Sequence, residues 1–419
     1  MHPAVRFSVG VTVALITATA PASASDWTQD GYDGGHSANN SLETLLAPRS
    51  VGGLRLAWRH RVDPAGHHGY EQFAGVTVVR DGRAFASWMA DGSGSRLTAL
   101  NVADGRALWH RRYPNADAMF VASTPDLAIA NAGRGTVAFD AATGAVVWEL
   151  ASTRVSAASR TGSRLLVSFE GTTDEIGVVS AADGSELWRR PLRATAEPLL
   201  SQRVVLLTTR TEAGPCLLGL DPAEGRTLWR RPVGGQAGLE LASGGRAYVL
   251  TGVGPRAGLL QAFRASDGHR AWARSFDVPS FVEVPTAGDG LVFIDWLRCV
   301  SGCEGDAFGN HRGSLLALDV SSGGTVWHRH GGLGTGEPLW RANVVTPGLV
   351  YVHRFAGFDR VRVAALATED GRQRWAASIG RGALGEVTAV ADGRVFVGAA
   401  SGYAAHPNVG GTVFSFALP

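Results

Sequence analysis

Leu97-Thr98-Ala99-Leu100-Asn101-Val102-Ala103-Asp104-Gly105-Arg106-Ala107-Leu108-Trp109 is the stretch that decides the fold. It reads as an apolar strand, a tight turn on Asp-Gly, and a returning strand with tryptophan four residues after the glycine. Glycine takes the positive φ that such a turn needs without steric cost, and aspartate suits the position before it. The same spacing returns at Gly144/Trp148, Gly184/Trp188, Gly225/Trp229, Gly268/Trp272, Gly323/Trp327 and Gly371/Trp375. Trp58 stands in a similar strand, with Gly53 five residues before it. The intervals between these eight tryptophans, from Trp58 to Trp375, run 51, 39, 40, 41, 43, 55 and 48 residues. A motif recurring about every forty residues marks a repeat architecture, and forty residues make one four-stranded propeller blade.

An apolar side chain lies five residues before each motif glycine: Leu100, Phe139, Val179, Leu220, Phe263, Leu318 and Leu366. The tryptophan then stands on a fixed face of the next strand, where it covers roughly 150–250 Å² of apolar surface. A blade buries its two faces only against its neighbours, so the tryptophans read as inter-blade packing. Seven intervals give seven blades, and the 44 residues after Trp375 hold strand-like runs at Val387–Val390, Arg394–Gly398 and Thr412–Phe416 without a closing tryptophan strand. Leu54–Val62 supplies that strand, so the expectation is all-β: an eight-bladed propeller of four-stranded antiparallel blades closed by an N-terminal strand. Seven blades is the alternative.

The repeat resembles the quinoprotein-like, or PQQ-like, eight-bladed propeller family over nearly all of the chain after its first residues. The opening Asp26-Trp27-Thr28-Gln29-Asp30-Gly31-Tyr32-Asp33 is also similar to the lead-in of secreted bacterial members, as is Ala47-Pro48-Arg49-Ser50-Val51-Gly52-Gly53-Leu54. The resemblance implies either a quinone-dependent dehydrogenase, with PQQ and calcium as cofactors, or a non-catalytic binding scaffold such as the barrel-assembly propeller of outer membranes. The dehydrogenase branch has a disulfide between adjacent cysteines, and none of the three cysteines here adjoins another. A Cys-x-x-Cys-His haem site is missing too. These departures count against a quinone enzyme.

Residues 1–24 read as a secretory signal: Arg6, the apolar run Val9–Ala20, then Ala22-Ser23-Ala24. Retention of the signal as an anchor is the alternative, and no later segment reads as transmembrane. Residues 25–53 form a lead-in, and 54–419 the propeller. The expected location is secreted or extracytoplasmic. The formal charge of +2 falls to +1 without Arg6, which argues against bulk binding to nucleic acid or anionic lipid. Arginines after the tryptophans, such as Arg189 and Arg190, read as charge guarding a bare sheet edge. The chain has no lysine, which excludes Schiff-base chemistry and a Walker lysine. Gly252-x-Gly254-x-x-Ala257 lies between two strands and reads as a hairpin loop, not a dinucleotide site. Cys299 and Cys303 are expected to form a short disulfide, with a zinc site the alternative, and Cys216 a buried free thiol.

Candidate binding residues follow from blade geometry. Glu197, Glu240, Glu283 and Glu386 are expected to begin inner strands at one channel mouth, with Glu337 just ahead of another. They either gather as weak candidates for a cation site or stand apart as solvated turn residues. Second strands end on the same face with Trp88, Glu170, Arg210, Asp295, Trp296, His353 and Arg354, beside longer loops such as His67-His68-Gly69-Tyr70-Glu71. Asp295 and His353 are either an acid/base pair or structural hydrogen-bonding groups. The sequence thus points first to an exported, monomeric, non-catalytic propeller that binds a protein partner or small ligand at this face. A PQQ- and calcium-dependent oxidoreductase and an envelope-assembly scaffold are the alternatives.

Overall fold

The tryptophan strands sit where their spacing predicts, each last in a four-stranded antiparallel sheet. The computed structural model describes residues 25–61, 72–90, 94–159, 161–170, 175–201, 203–252, 257–277, 280–301, 310–333, 339–355, 361–379, 383–401 and 411–419. Seven sheets follow the chain as blades 1 to 7, over 72–113, 118–151, 153–190, 199–232, 236–277, 280–333 and 339–378. The eighth joins the strands Ala383–Ala391, Arg394–Ser401 and Thr412–Ala417 to the N-terminal strand Arg55–Arg61, with Trp58 opposite Ser415. The chain is therefore an eight-bladed ring whose first strand completes its last sheet. Among the described residues no helix is long and apolar enough to cross a membrane.

Each motif tryptophan reaches into the following blade. The indole Nε1–H of Trp58 donates to the Val102 carbonyl at 2.8 Å, and Trp109, Trp148, Trp188, Trp229, Trp272 and Trp327 repeat this to Ala141, Ala181, Pro222, Ala265, Val320 and Thr368. Every acceptor lies three residues before the next motif glycine. At Gly225 (φ 70°) a Cβ would stand 2.7 Å from the Trp188 ring. The glycine is thus demanded twice, by its turn and by its neighbour's indole. Some arginines assigned to edge protection also stitch the ring: Arg190, Arg231, Arg274 and Arg329, each two residues after a tryptophan, donate to carbonyls of the next blade's turn.

The lead-in runs around one mouth of the channel and bonds all eight inner strands in order, near their hairpin ends. Trp27 exchanges two backbone bonds with Val79, the Thr28 carbonyl accepts from Ser123, and the Gln29 amide bonds both backbone groups of Ala158. The carbonyls of Gly34, Gly35, Ser37 and Ala38 accept from Leu200, Ala242, Ala287 and Val345, and Asn40 Nδ2 donates to the Val390 carbonyl. Inner strands have one edge without a partner strand, and buried backbone groups need partners. A Cβ on Gly35 would meet the Ala242 oxygen at 2.0 Å, so only glycine fits that contact.

Candidate functional site

The glutamates do not begin the inner strands. Those strands start earlier, at Gln236, Ser280 and Ala383, so Glu240, Glu283 and Glu386 lie inside them. A β-bulge interrupts the inner strands at a common level. Extra residues there are Thr77, Val121, Ser156, Glu240, Asn343 and Thr388, with two, Val284 and Pro285, in blade 6. In blade 4, Ala194 bridges Thr209 and Leu199 pairs with Leu206, leaving Glu197 in the irregular stretch between. Bulges re-aim side chains. Here they form a belt that carries Glu240.

One level nearer the other mouth, Glu283, Arg341 and Glu386 occupy equivalent places in blades 6, 7 and 8, opposite Asp295, His353 and Gly398. Arg341 is ion-paired with Glu283, and its Nε lies 3.3 Å from Asp295 Oδ2. Asp295 Oδ1 accepts the Ala342 backbone N–H at 3.2 Å. Two other second-strand residues do the same for the following blade: Ser87 Oγ accepts from Phe120, and Asn131 Oδ1 accepts from Val155. Asp295 therefore belongs to a structural series, although burial holds its carboxyl well above the usual range. His353 donates Nδ1–H to the Asn343 side-chain oxygen at 2.9 Å. Burial, aided by the Arg341 charge, pushes its pKa down to about 3, so the ring is neutral. The two residues stand on adjacent blades, with Arg341 reaching Asp295 and standing opposite His353 in the strand register.

The remaining candidates separate by environment. Trp88 is buried in the core shared by blades 7, 8 and 1. Half-buried Trp296 lies against the Phe276 ring. Arg354 and Arg329 place their guanidiniums 5.2 and 4.3 Å from the centre of the buried Trp340 ring. Arg210 joins Arg193, Ala194 and Thr195 around a shallow groove of about 370 Å³. Cys216 is a buried free thiol, its pKa raised by burial. The Cys299 backbone lies in the strand Leu291–Ser301, whereas Cys303, Glu337 and the His67-His68 loop fall outside the described residues. Gly252 and Ala257 end and begin two paired antiparallel strands, the hairpin expected there.

The residues missed by sequence are Arg341 and the lead-in's Asp30, Asp33 and His36. Arg341 had a signal, since it holds the inner-strand place of Glu283 and Glu386. The lead-in had none, because only the closed ring brings it into the channel. His36 Nε2 is 2.7 Å from the Ser156 carbonyl oxygen, and Asp33 accepts from Ser37 and Gly35. Burial raises the pKa of Asp30, Glu197, Glu240 and Glu386. The Asp30 charge adds to this for Glu197 and Glu386. Among the described residues no three acidic, histidine or cysteine side chains converge as metal ligands.

Comparison with known proteins places this geometry in a family. A search of curated proteins by sequence returns no match. Solved structures with the same architecture include a quinohemoprotein alcohol dehydrogenase from Comamonas testosteroni, 16% identical with a TM-score of 0.62, covering 94% of this chain and 80% of that one. The quinohemoprotein alcohol dehydrogenase ADHIIG from Pseudomonas putida HK5 is 14% identical with a TM-score of 0.61, at the same coverage. BamB from Moraxella catarrhalis is 17% identical with a TM-score of 0.51, covering 87% of this chain and 99% of that one. At such identities the likeness is one of fold. Residues 133–230 and 216–406 match the family model described as outer membrane protein assembly factor BamB, which spans more than half of the 419 residues. The chain belongs to this family of PQQ-repeat β-propellers, related both to quinoprotein dehydrogenases and to a non-catalytic scaffold.

Proposed function

We propose that this protein is an extracytoplasmic, non-catalytic scaffold that holds a protein partner during envelope assembly, with its channel as the recognition site. The observation that carries this reading is Arg341. Its guanidinium pairs with Glu283 and Asp295, with Glu386 in its field. A calcium ion drawn to those three carboxylates would meet a fixed positive charge already in place, so the calcium of a quinone centre does not fit there. The faces of Trp340 likewise carry Arg329 and Arg354. The description of the matching family model and the export-type N-terminus support the cellular setting.

The test is to titrate the purified protein with PQQ and calcium while following absorbance, melting temperature and dye-linked alcohol oxidation. The expected result is no bound chromophore, no calcium-dependent melting shift and no turnover. Dye reduction that requires added quinone would overturn the scaffold reading and restore the oxidoreductase.

A further inference from the structure

We propose that His328 and His330, on the outer strand of blade 6, chelate a divalent transition metal, with copper(II) preferred. The site lies on the rim of the ring, apart from the channel, and goes beyond the scaffold reading.

Register brings the two imidazoles together. The strand Thr325–Leu333 is the last of its sheet and pairs on one side only, with Asn310–Asp319. His328 and His330 stand one and three residues after Trp327. Residues two apart in a strand share a face, and both side chains are exposed. Their rings lie 4.4 Å apart, centre to centre, with their planes at 68°. Other blades place unlike residues at these positions: His110 with Arg112 in blade 1, and Glu149 with Ala151 in blade 2. Arg329, between the two histidines, turns to the next blade. It donates to the Gly371 carbonyl, with its guanidinium 4.3 Å from the centre of the Trp340 ring. Its charge thus lies on the opposite face of the strand from the imidazoles.

The ring separation has the dimensions of a chelate. A metal bonded to an imidazole nitrogen at about 2.1 Å lies about 3.2 Å from the ring centre, so two rings bound at a right angle stand about 4.5 Å apart, and two at the tetrahedral angle about 5.2 Å. The observed 4.4 Å fits the right angle. Nitrogen ligands at right angles belong to tetragonal copper(II) or nickel(II), and copper(II) heads the affinity order of the divalent ions.

One ring is also held from behind. Ser314 pairs with His330 across the strands, and its hydroxyl oxygen lies 3.2 Å from His330 Nδ1. Ser314 is buried. A metal on Nε2 leaves the ring hydrogen on Nδ1, where the Ser314 oxygen accepts it. Metal-binding histidines are oriented in this way, through the nitrogen that does not bind the metal. Among the described residues no third acidic, histidine or cysteine side chain converges as a metal ligand. The two imidazoles are exposed, so the remaining coordination positions face solvent and take water.

The experiment titrates the purified, metal-free protein with copper(II) and with zinc(II) at neutral pH by calorimetry, and records the electron paramagnetic resonance spectrum of the copper complex. The expected spectrum is that of a tetragonal ion with two imidazole nitrogens. Copper(II) should bind at least about tenfold more tightly than zinc(II). His328→Asn and His330→Asn should each weaken copper binding at least about tenfold, whereas His110→Asn, a lone exposed imidazole on blade 1, should change nothing. All three variants should melt with the parent, since the side chains are exposed. Copper held elsewhere on the chain survives both blade 6 substitutions, and that result overturns the proposal. So does a spectrum without two imidazole nitrogens, which the unaltered chain reports whatever the variants do, and so does zinc bound as tightly as copper. The quinone titration reads the channel and this one the rim, so either reading fails without the other.

Discussion

Two kinds of carboxylate occur in this molecule, and their surroundings set them apart. Asp140, Asp183 and Asp319, in turns, are stabilised as anions. Hydrogen bonds from Ser321 and Ser322 lower Asp319 to about 2, and bonds from Thr143 and Ser185 lower Asp140 and Asp183. Asp26, Asp30 and Asp33 of the lead-in, with Glu197, Glu240 and Glu386, are pushed the other way. Asp26 rises to about 6, first from burial, then from Asp392 and Asp81. Its folded pKa exceeds the unfolded value, so its contribution is fully present below the unfolded value and is lost as pH rises through about 6. Asp26→Asn should therefore stabilise the protein at about pH 8 by on the order of 1 kcal/mol, after discounting for solvent screening. At about pH 3 the variant and the parent should melt together. Melting curves at the two pH values check this, and a variant less stable at pH 8 contradicts the assignment.

At the scale of the element, the unit that matters is the tryptophan strand with the turn of the following blade. Trp188 packs on Gly225 and donates to the Pro222 carbonyl at 3.0 Å. Trp188→Ala removes a large buried side chain and leaves that carbonyl without its donor. The expected cost is about 3–5 kcal/mol in chemical denaturation. Gly225→Ala attacks the same joint from the other blade, since its Cβ would stand 2.7 Å from the Trp188 ring at a φ of 70°. It should cost about 1–3 kcal/mol. The pair should be non-additive by at least about 0.5 kcal/mol, because the smaller side chain left at position 188 makes room for the new methyl. Simple addition in a double-mutant cycle would show that the two residues do not share a joint.

At the scale of the molecule, two devices close the ring. One is the pairing of Arg55–Arg61 with Thr412–Ala417; the other is the lead-in, which ties the inner strands together across the channel. Deletion of residues 25–46 should leave the blade sheets formed but free the amides of Leu200, Ala242, Ala287 and Val345, which donate to lead-in carbonyls. Hydrogen exchange at those four amides should quicken by at least about tenfold, while outer-strand amides change little. Uniform quickening throughout the ring would mean that the lead-in supports the whole fold rather than one mouth.

The sequence by itself determined the repeat, its period, the glycine-to-tryptophan spacing, the eight blades and the strand that closes them. Those features are local: a turn, an alternation and a spacing recur in one dimension before any of them meets another. Only the tertiary structure decided where the channel charges lie. Glu283, Asp295 and Arg341 are separated along the chain and carry no shared motif, yet adjacent blades bring them into one ion-paired group. Asp30 lies in a segment with no repeat signal, and it enters the channel because the inner strands offer unpaired backbone groups there. The inner strands begin three or four residues ahead of Glu240, Glu283 and Glu386, and their bulges leave no mark in composition. Architecture was legible because it repeats, and the candidate site was not, because it is built from what differs between blades.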